Sequence, residues 1–301
     1  MIDCDPGIDD AVSLALTVNS PELELRGVTT VAGNVPLELT TANALTLLAA
    51  LRRDDVPVAA GADRGLVRIK PLHPFVHGAN GLGGVELTPA QRDARREHAV
   101  EFLAALLRDA PPRSLTIAAI GPLTNIALLT ALHPELTDRI DRVVVMGAST
   151  GAGNVTPMAE YNTWADPEAA QRVLGGSELE ICLVELQVTR QATLNPRTRA
   201  ALRTGSALGA LLSDMIDGYA DDALGERALH DVVALAAIID PTLITTRPAK
   251  VEVKSGSGAG RGRTVFAFED ADAAASNVQV AVDLDVGRLL DLLLTRIGGA
   301  G

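Results

Sequence analysis

Short apolar runs alternate along this chain with longer stretches in which apolar positions recur every third or fourth residue, the periods of buried strands and of amphipathic helices. Met1-Ile2 leads into a polar turn and then Ala11-Val12-Ser13-Leu14-Ala15-Leu16, which reads as strand end, turn and helix start. Residues 23–32 predict a buried strand that stops at Gly33-Asn34, and residues 36–51 follow with helical periodicity. Further strands are expected at 56–59, 115–120, 142–146 and 179–184. Helices are expected at 98–108, from Gly121-Pro122-Leu123-Thr124-Asn125 onward, at 166–174, and from Pro196 to about Ile239 with a polar interruption at 221–227. The tail reads as strands at 251–253, 264–266 and 278–282, with a Gly/Ser/Ala turn at 255–262, and a last amphipathic helix at 284–297.

Strands that alternate with helices mean an α/β fold: a largely parallel central sheet flanked by helices, a Rossmann-like core, here with a small additional strand set near the C-terminus. Ligands of such sheets sit at the carboxyl ends of the strands. Asp5, Asn34, Ile120 and Gly147 all fall at or just past predicted strand ends. No internal repeat and no long linker is visible, and the length fits either one large α/β domain or two small ones.

Composition narrows the ligand. The chain is 47% hydrophobic but only 2% aromatic, so its core must be built from Ala, Leu, Val and Ile. A net charge of −12 repels polyanions and argues against nucleic acid as a partner, while a neutral small molecule is a comfortable guest. Cys4 and Cys182 are too few for a disulfide scaffold and lack zinc-type spacing. No stretch reaches membrane-spanning length and no basic-then-apolar signal opens the chain, so a soluble cytoplasmic protein is expected, with no membrane partner.

The chemistry concentrates in three places. Asp3-Cys4-Asp5-Pro6-Gly7-Ile8-Asp9-Asp10 brings four carboxylates around a Pro-Gly turn. Like charges about 4 Å apart at a partly buried site repel by roughly 4 kcal/mol a pair. Protonation or a cation relieves this, and an all-oxygen set suits Ca²⁺ or Mg²⁺ rather than zinc. The plainer role, helix-dipole complement for Asp9 and Asp10 and a turn cap for Asp5, fits a single Asp better than four. Residues 153–168 form a second dense polar stretch whose Asn154, Glu160 and Asn162 suit a polyol; Asp166, directly before Pro167, reads as a helix cap. In Leu229-His230-Asp231-Val232, at the start of an apolar helix, Asp231 alone would be an N-cap and His230 a surface residue. Residues 71–84, rich in Gly and Pro and carrying His77, read as an irregular, mobile loop.

Asp3-x-Asp5-Pro6-Gly7-x-Asp9-Asp10 resembles the N-terminal signature of the inosine-uridine preferring nucleoside hydrolases, and Val76-His77-Gly78 and Gly121-Pro122-Leu123-Thr124-Asn125 fit the same family. The resemblance covers essentially the whole chain. It implies a single nucleoside hydrolase-like domain over residues 1–301, a homodimer or homotetramer, and Ca²⁺-dependent cleavage of ribonucleosides to ribose and base. Asp5, Asp10 and Asp231 would ligate the Ca²⁺ by side chain and Ile120 by its carbonyl. Asp9, Asn34, Asn154, Glu160 and Asn162 would hold the ribose, and His77 would approach the base. Cleavage builds positive charge on the ribose ring, which carboxylates stabilise more than the neutral substrate. Asp5 is expected to take a proton from water and His230 to protonate the leaving base. The rival from another class is a non-catalytic nucleoside-binding protein on the same scaffold. A haloacid-dehalogenase-like phosphatase fits poorly, because Ile8 is followed by two further Asp and the net charge disfavours phosphate.

Overall fold

The short apolar runs become six parallel strands: β1 (Ile2–Cys4), β2 (Val28–Thr30), β3 (Val58–Ala60), β4 (Leu115–Ala119), β5 (Ile140–Met146) and β6 (Ile181–Val184). The computed structural model describes residues 1–68, 76–219, 228–269 and 276–299. Three more strands, β7 (Ile244–Val253), β8 (Thr264–Phe268) and β9 (Val278–Leu284), extend the same sheet in the order β3-β2-β1-β4-β5-β6-β9-β7-β8. β9 runs parallel to β6, and β7 is antiparallel to both its neighbours.

Pleating sorts the strand side chains between two apolar layers. Ile117 and Ala119 of β4 and Val143 and Val145 of β5 join one core, whereas Ala118, Val144 and Met146 join the other. The first core is closed by α3 (Ala99–Asp109), α4 (Thr124–Leu132) and α6 (Pro167–Leu174). The second is closed by α1 (Ile8–Val18), α2 (Leu37–Ala50), α9 (Ala207–Asp217), α10 (His230–Ile239) and α11 (Val286–Arg296). The described residues also form the helices α5 (Tyr161–Ala165), α7 (Leu186–Thr189) and α8 (Pro196–Gly205), with 3₁₀ turns at Pro134–Arg139 and Pro241–Leu243. Parallel strands covered on both faces leave the loops at their carboxyl ends as the place for polar side chains.

The sequence reading lacks the short helices α5 and α7, and two of its strands differ in extent. The strand expected over 23–32 is confined to Val28–Thr30, the positions that find ladder partners on both β1 and β3. β7 begins seven residues before the expected 251–253 and passes through Pro248. Residues 244–248 pair with β9 and residues 249–253 with β8. Pro248, which has no N–H to give, lies at the changeover between partners. The interruption at 221–227 and residues 71–75 of the His77 loop lie outside the described residues. Among the described residues, no helix is long and apolar enough to cross a membrane.

Candidate active site

The Asp5-Pro6-Gly7 turn joins β1 to α1 and brings the N-terminus of α1 beside that of α10. Asp10 partly serves the plainer role its position suggests: its Oδ2 accepts the Gly7 N–H at 2.8 Å and ties down the helix start. Its Oδ1 is buried and has no hydrogen-bond partner among the described residues. Burial, and then the charge of Asp9, push the Asp10 carboxyl up to about 7. Burial also raises Asp9, opposed by the His230 ring and by backbone amides that include those of His230 and Asp231. Asp231, the second residue of α10, is pushed well above the usual carboxylate range by burial and by Asp9, Asp10 and Asp5.

Carboxylate oxygens of Asp9, Asp10 and Asp231 lie within 4.8 Å of one another. Three buried carboxylates at this spacing, with one oxygen orphaned, are strongly unfavourable unless protonated or neutralised by a cation. The donor set is all oxygen, so it fits a hard divalent ion. Asp9, which the sequence reading gave to ribose, is therefore part of the tight group.

Asp5 stands beside that group, near enough for its charge to raise Asp231. Its Oδ2 accepts the Asn34 N–H at 2.7 Å. The Asn34 amide donates to the Asp5 carbonyl at 3.1 Å and to Asp10 Oδ2 at 3.3 Å, so Asn34 joins the two acids. Gly33 and Gly121 enclose the Asp5 carboxylate: a Cβ at Gly33 would lie 1.8 Å from Oδ2, and one at Gly121 would lie 2.7 Å from Oδ1. Neither position has room for a side chain.

Asn162, buried at the second residue of α5, donates its amide to the Ile120 carbonyl at 2.8 Å and to the Met146 carbonyl at 3.2 Å. It thus links the ends of β4 and β5, and the carbonyl expected to face the metal already accepts one hydrogen bond. Glu160 caps α5, taking the Asn162 N–H on Oε1 at 2.7 Å and the Thr163 and Ala148 N–H groups on Oε2, each at 2.9 Å. Ala148 has φ 64°, a left-handed conformation that costs a non-glycine residue roughly 1 kcal/mol or more. Its bonds to Glu160 and to Thr163 Oγ1 help hold it there. Burial raises the Glu160 carboxyl, and these donors oppose the rise. Asn154 Oδ1 accepts the Tyr161 N–H at 2.9 Å. Asp166 is the cap its sequence position indicated, accepting from Ala169 N–H, and it also takes Thr124 Oγ1 and Leu66 N–H.

His77 is buried, 3.9 Å from Asp9 by its Nδ1, which accepts the Ile8 N–H at 3.1 Å. Its ring meets Tyr219 edge-on with centroids 5.0 Å apart. Tyr219 is the last described residue before the polar interruption, and residues 220–227 lie outside the described residues. His230 sits at the start of α10, with Nδ1 2.8 Å from Thr189 Oγ1.

Asp3, one of the four acids of the turn, has no role of its own in the sequence reading, and Tyr161 is not singled out there. Asp3 is fully buried, accepts from Thr29 Oγ1 at 2.6 Å and Asn125 Nδ2 at 2.8 Å, and is raised by burial to about 6. Tyr161 donates its hydroxyl to the Gly33 carbonyl at 2.6 Å, fastening α5 to the glycine beside Asp5. Asn125 had a signal in its Gly-Pro-Leu-Thr-Asn context; Tyr161 had only its place in the polar stretch.

The sequence model of the inosine-uridine preferring nucleoside hydrolases matches residues 1–291. The chain belongs to this family. It is accordingly a hydrolase acting on N-glycosyl compounds. The hydrolase is 44% identical over 292 residues to the non-specific ribonucleoside hydrolase RihC of Escherichia coli (strain SMS-3-5), covering 95% of this chain and 93% of that protein. It is 40% identical over 263 residues to the uncharacterized protein C1683.06c of Schizosaccharomyces pombe, covering 85% of this chain and 84% of the other. Among solved structures, the purine-preferring ribonucleoside hydrolase from Gardnerella vaginalis superposes with a TM-score of 0.91 at 34% identity, covering 99% of this chain and 97% of that one. A plant nucleoside hydrolase, PpNRh1, gives 0.89 at 32% identity, covering 99% and 98%.

Proposed function

We propose that this hydrolase cleaves the N-glycosidic bond of ribonucleosides, giving ribose and a free base, at a divalent-cation site that takes Ca²⁺. The observation that carries the reading is the buried acidic group at the strand ends, with its orphaned Asp10 oxygen. Asp5, Asp10, Asp231 and the Ile120 carbonyl would hold the cation, with Asp9 at its edge. When bound, the cation would orient water and the ribose 2′ and 3′ hydroxyls and make the water more acidic.

The residues of the chain supply the rest. The Asn162 NH₂ is committed to two carbonyls, so its Oδ1 accepts from a ribose hydroxyl. Asn154 Oδ1 is committed to Tyr161, so its NH₂ donates. Asn34, Asp9 and Glu160 complete the ribose contacts, and His77 borders the base. As the C1′–N bond breaks, His230 gives a proton to the departing base. The water oxygen bonds to C1′ and its proton passes to Asp5. The surrounding carboxylates stabilise the positive charge that builds on the ring. The reaction would serve purine and pyrimidine salvage in the cytoplasm, with the enzyme assembled as a homodimer or homotetramer.

Ribose release from uridine, cytidine, inosine and adenosine, before and after EDTA dialysis and with Ca²⁺ or Mg²⁺ restored, tests this. The expected result is loss on stripping and recovery with Ca²⁺. Full-rate hydrolysis by stripped enzyme would sink the metal assignment, and nucleoside binding with no ribose release would favour a binding protein.

A further inference from the structure

The short helix α7 touches the site from both ends. At its start, Glu185 accepts the N–H of Gln187 at 3.0 Å and of Thr150 at 2.9 Å, and Gln187 and Arg190 donate to the Ala152 carbonyl, so the loop before Asn154 is held. At its end, Thr189 is completely buried, with Oγ1 2.8 Å from His230 Nδ1 and 3.2 Å from the Leu186 carbonyl.

A hydroxyl has one hydrogen, so two arrangements are possible. Either Thr189 donates to Nδ1, or it donates to the Leu186 carbonyl and accepts from Nδ1–H. A His230 that gives its proton from Nε2 carries hydrogen on both ring nitrogens beforehand and keeps the one on Nδ1 afterwards. Only the second arrangement serves both states. The Leu186 carbonyl also accepts the Arg190 N–H at 2.9 Å, and its second lone pair can take the Thr189 hydroxyl.

We propose that Thr189 is the positioning residue for His230: its hydroxyl holds Nδ1–H, fixes the ring's orientation and tautomer, and aims Nε2 at the leaving base. This rests on the proposed hydrolysis. In the step itself, the Nε2 proton moves to a ring nitrogen of the base as the C1′–N electron pair leaves with that base.

Thr189→Val keeps the shape and removes the hydroxyl, whereas Thr189→Ser keeps the hydroxyl. Each is assayed on inosine and on p-nitrophenyl β-D-ribofuranoside, whose phenolate leaves without protonation. The Val variant is expected to lose roughly tenfold or more in kcat on inosine with KM little changed. It should remain near wild type on the p-nitrophenyl riboside, and the Ser variant should recover the inosine rate. An equal loss on both substrates, or no loss on inosine, overturns the proposal. A wild-type protein inactive on both substrates would instead refute the hydrolase reading. The positioning claim is then decided by ¹⁵N NMR of the His230 imidazole in the wild-type protein, where a neutral ring with hydrogen on Nδ1 supports it and one with hydrogen on Nε2 overturns it.

Discussion

The two halves of the site are built on opposite principles. Around Asp9, Asp10 and Asp231 the carboxylates crowd one another and Asp10 Oδ1 lacks a donor. Around Asn154, Glu160 and Asn162 the described side-chain groups are anchored to backbone: Glu160 takes three N–H groups, and Asn162 bridges two strand ends. The first half is stable only with something added to it. The second is complete as folded and serves as a rigid wall. Substitutions should therefore harm activity in the first half without harming the fold, and harm the fold in the second.

The largest expected effect is at Asp10. Asp10→Asn should lower the rate of ribose release by roughly 10²–10³-fold, while the metal-free protein melts no lower than wild type because a buried unpaired charge has gone. A variant that unfolds would erase the contrast between the halves. Next is chelation read against pH. In the metal-free protein Asp3 at about 6 and Asp10 at about 7 lie above the ordinary 3.8. Groups raised on folding stabilise at low pH, and that stability is lost as pH rises through the folded values. Stripping metal should thus lower the melting temperature more at pH 8 than at pH 5. An equal drop at both would show that these acids do not carry the metal's effect.

In the second half, Glu160→Ala leaves the Asn162 and Thr163 N–H groups unpaired and the Ala148 N–H with Thr163 Oγ1 alone, and should cost about 2 kcal/mol in a denaturant titration. Removal of its side chain with unchanged stability would show that the wall does not depend on it. The smallest effect is expected at Asp166, which lies outside both halves. Asp166→Asn should cost about 1 kcal/mol and leave kcat within roughly twofold.

The sequence showed the first half better than the second for a physical reason. Four Asp around a Pro-Gly turn are local, and their repulsion follows from spacing alone. The Asp166 cap is equally local, lying next to Pro167. The Asn162–Ile120 bond spans 42 residues and depends on two strand ends meeting, which no local pattern encodes. Thr189, in an otherwise unremarkable stretch, acquires its meaning only when α10 packs against α7. The sheet was legible from periodicity except where tertiary pairing overrode it, as in β7, where Pro248 resembles a strand break and is tolerated at a change of partner.

The two glycines around Asp5 have a consequence for the energetics of turnover. A carboxylate confined by backbone on both sides has already surrendered its rotational freedom when the protein folds, so little ordering cost remains when cation and nucleoside arrive. Enlarging either glycine, even to alanine, should therefore raise the reorganisation energy of the reaction by displacing a group that the native fold delivers preorganised.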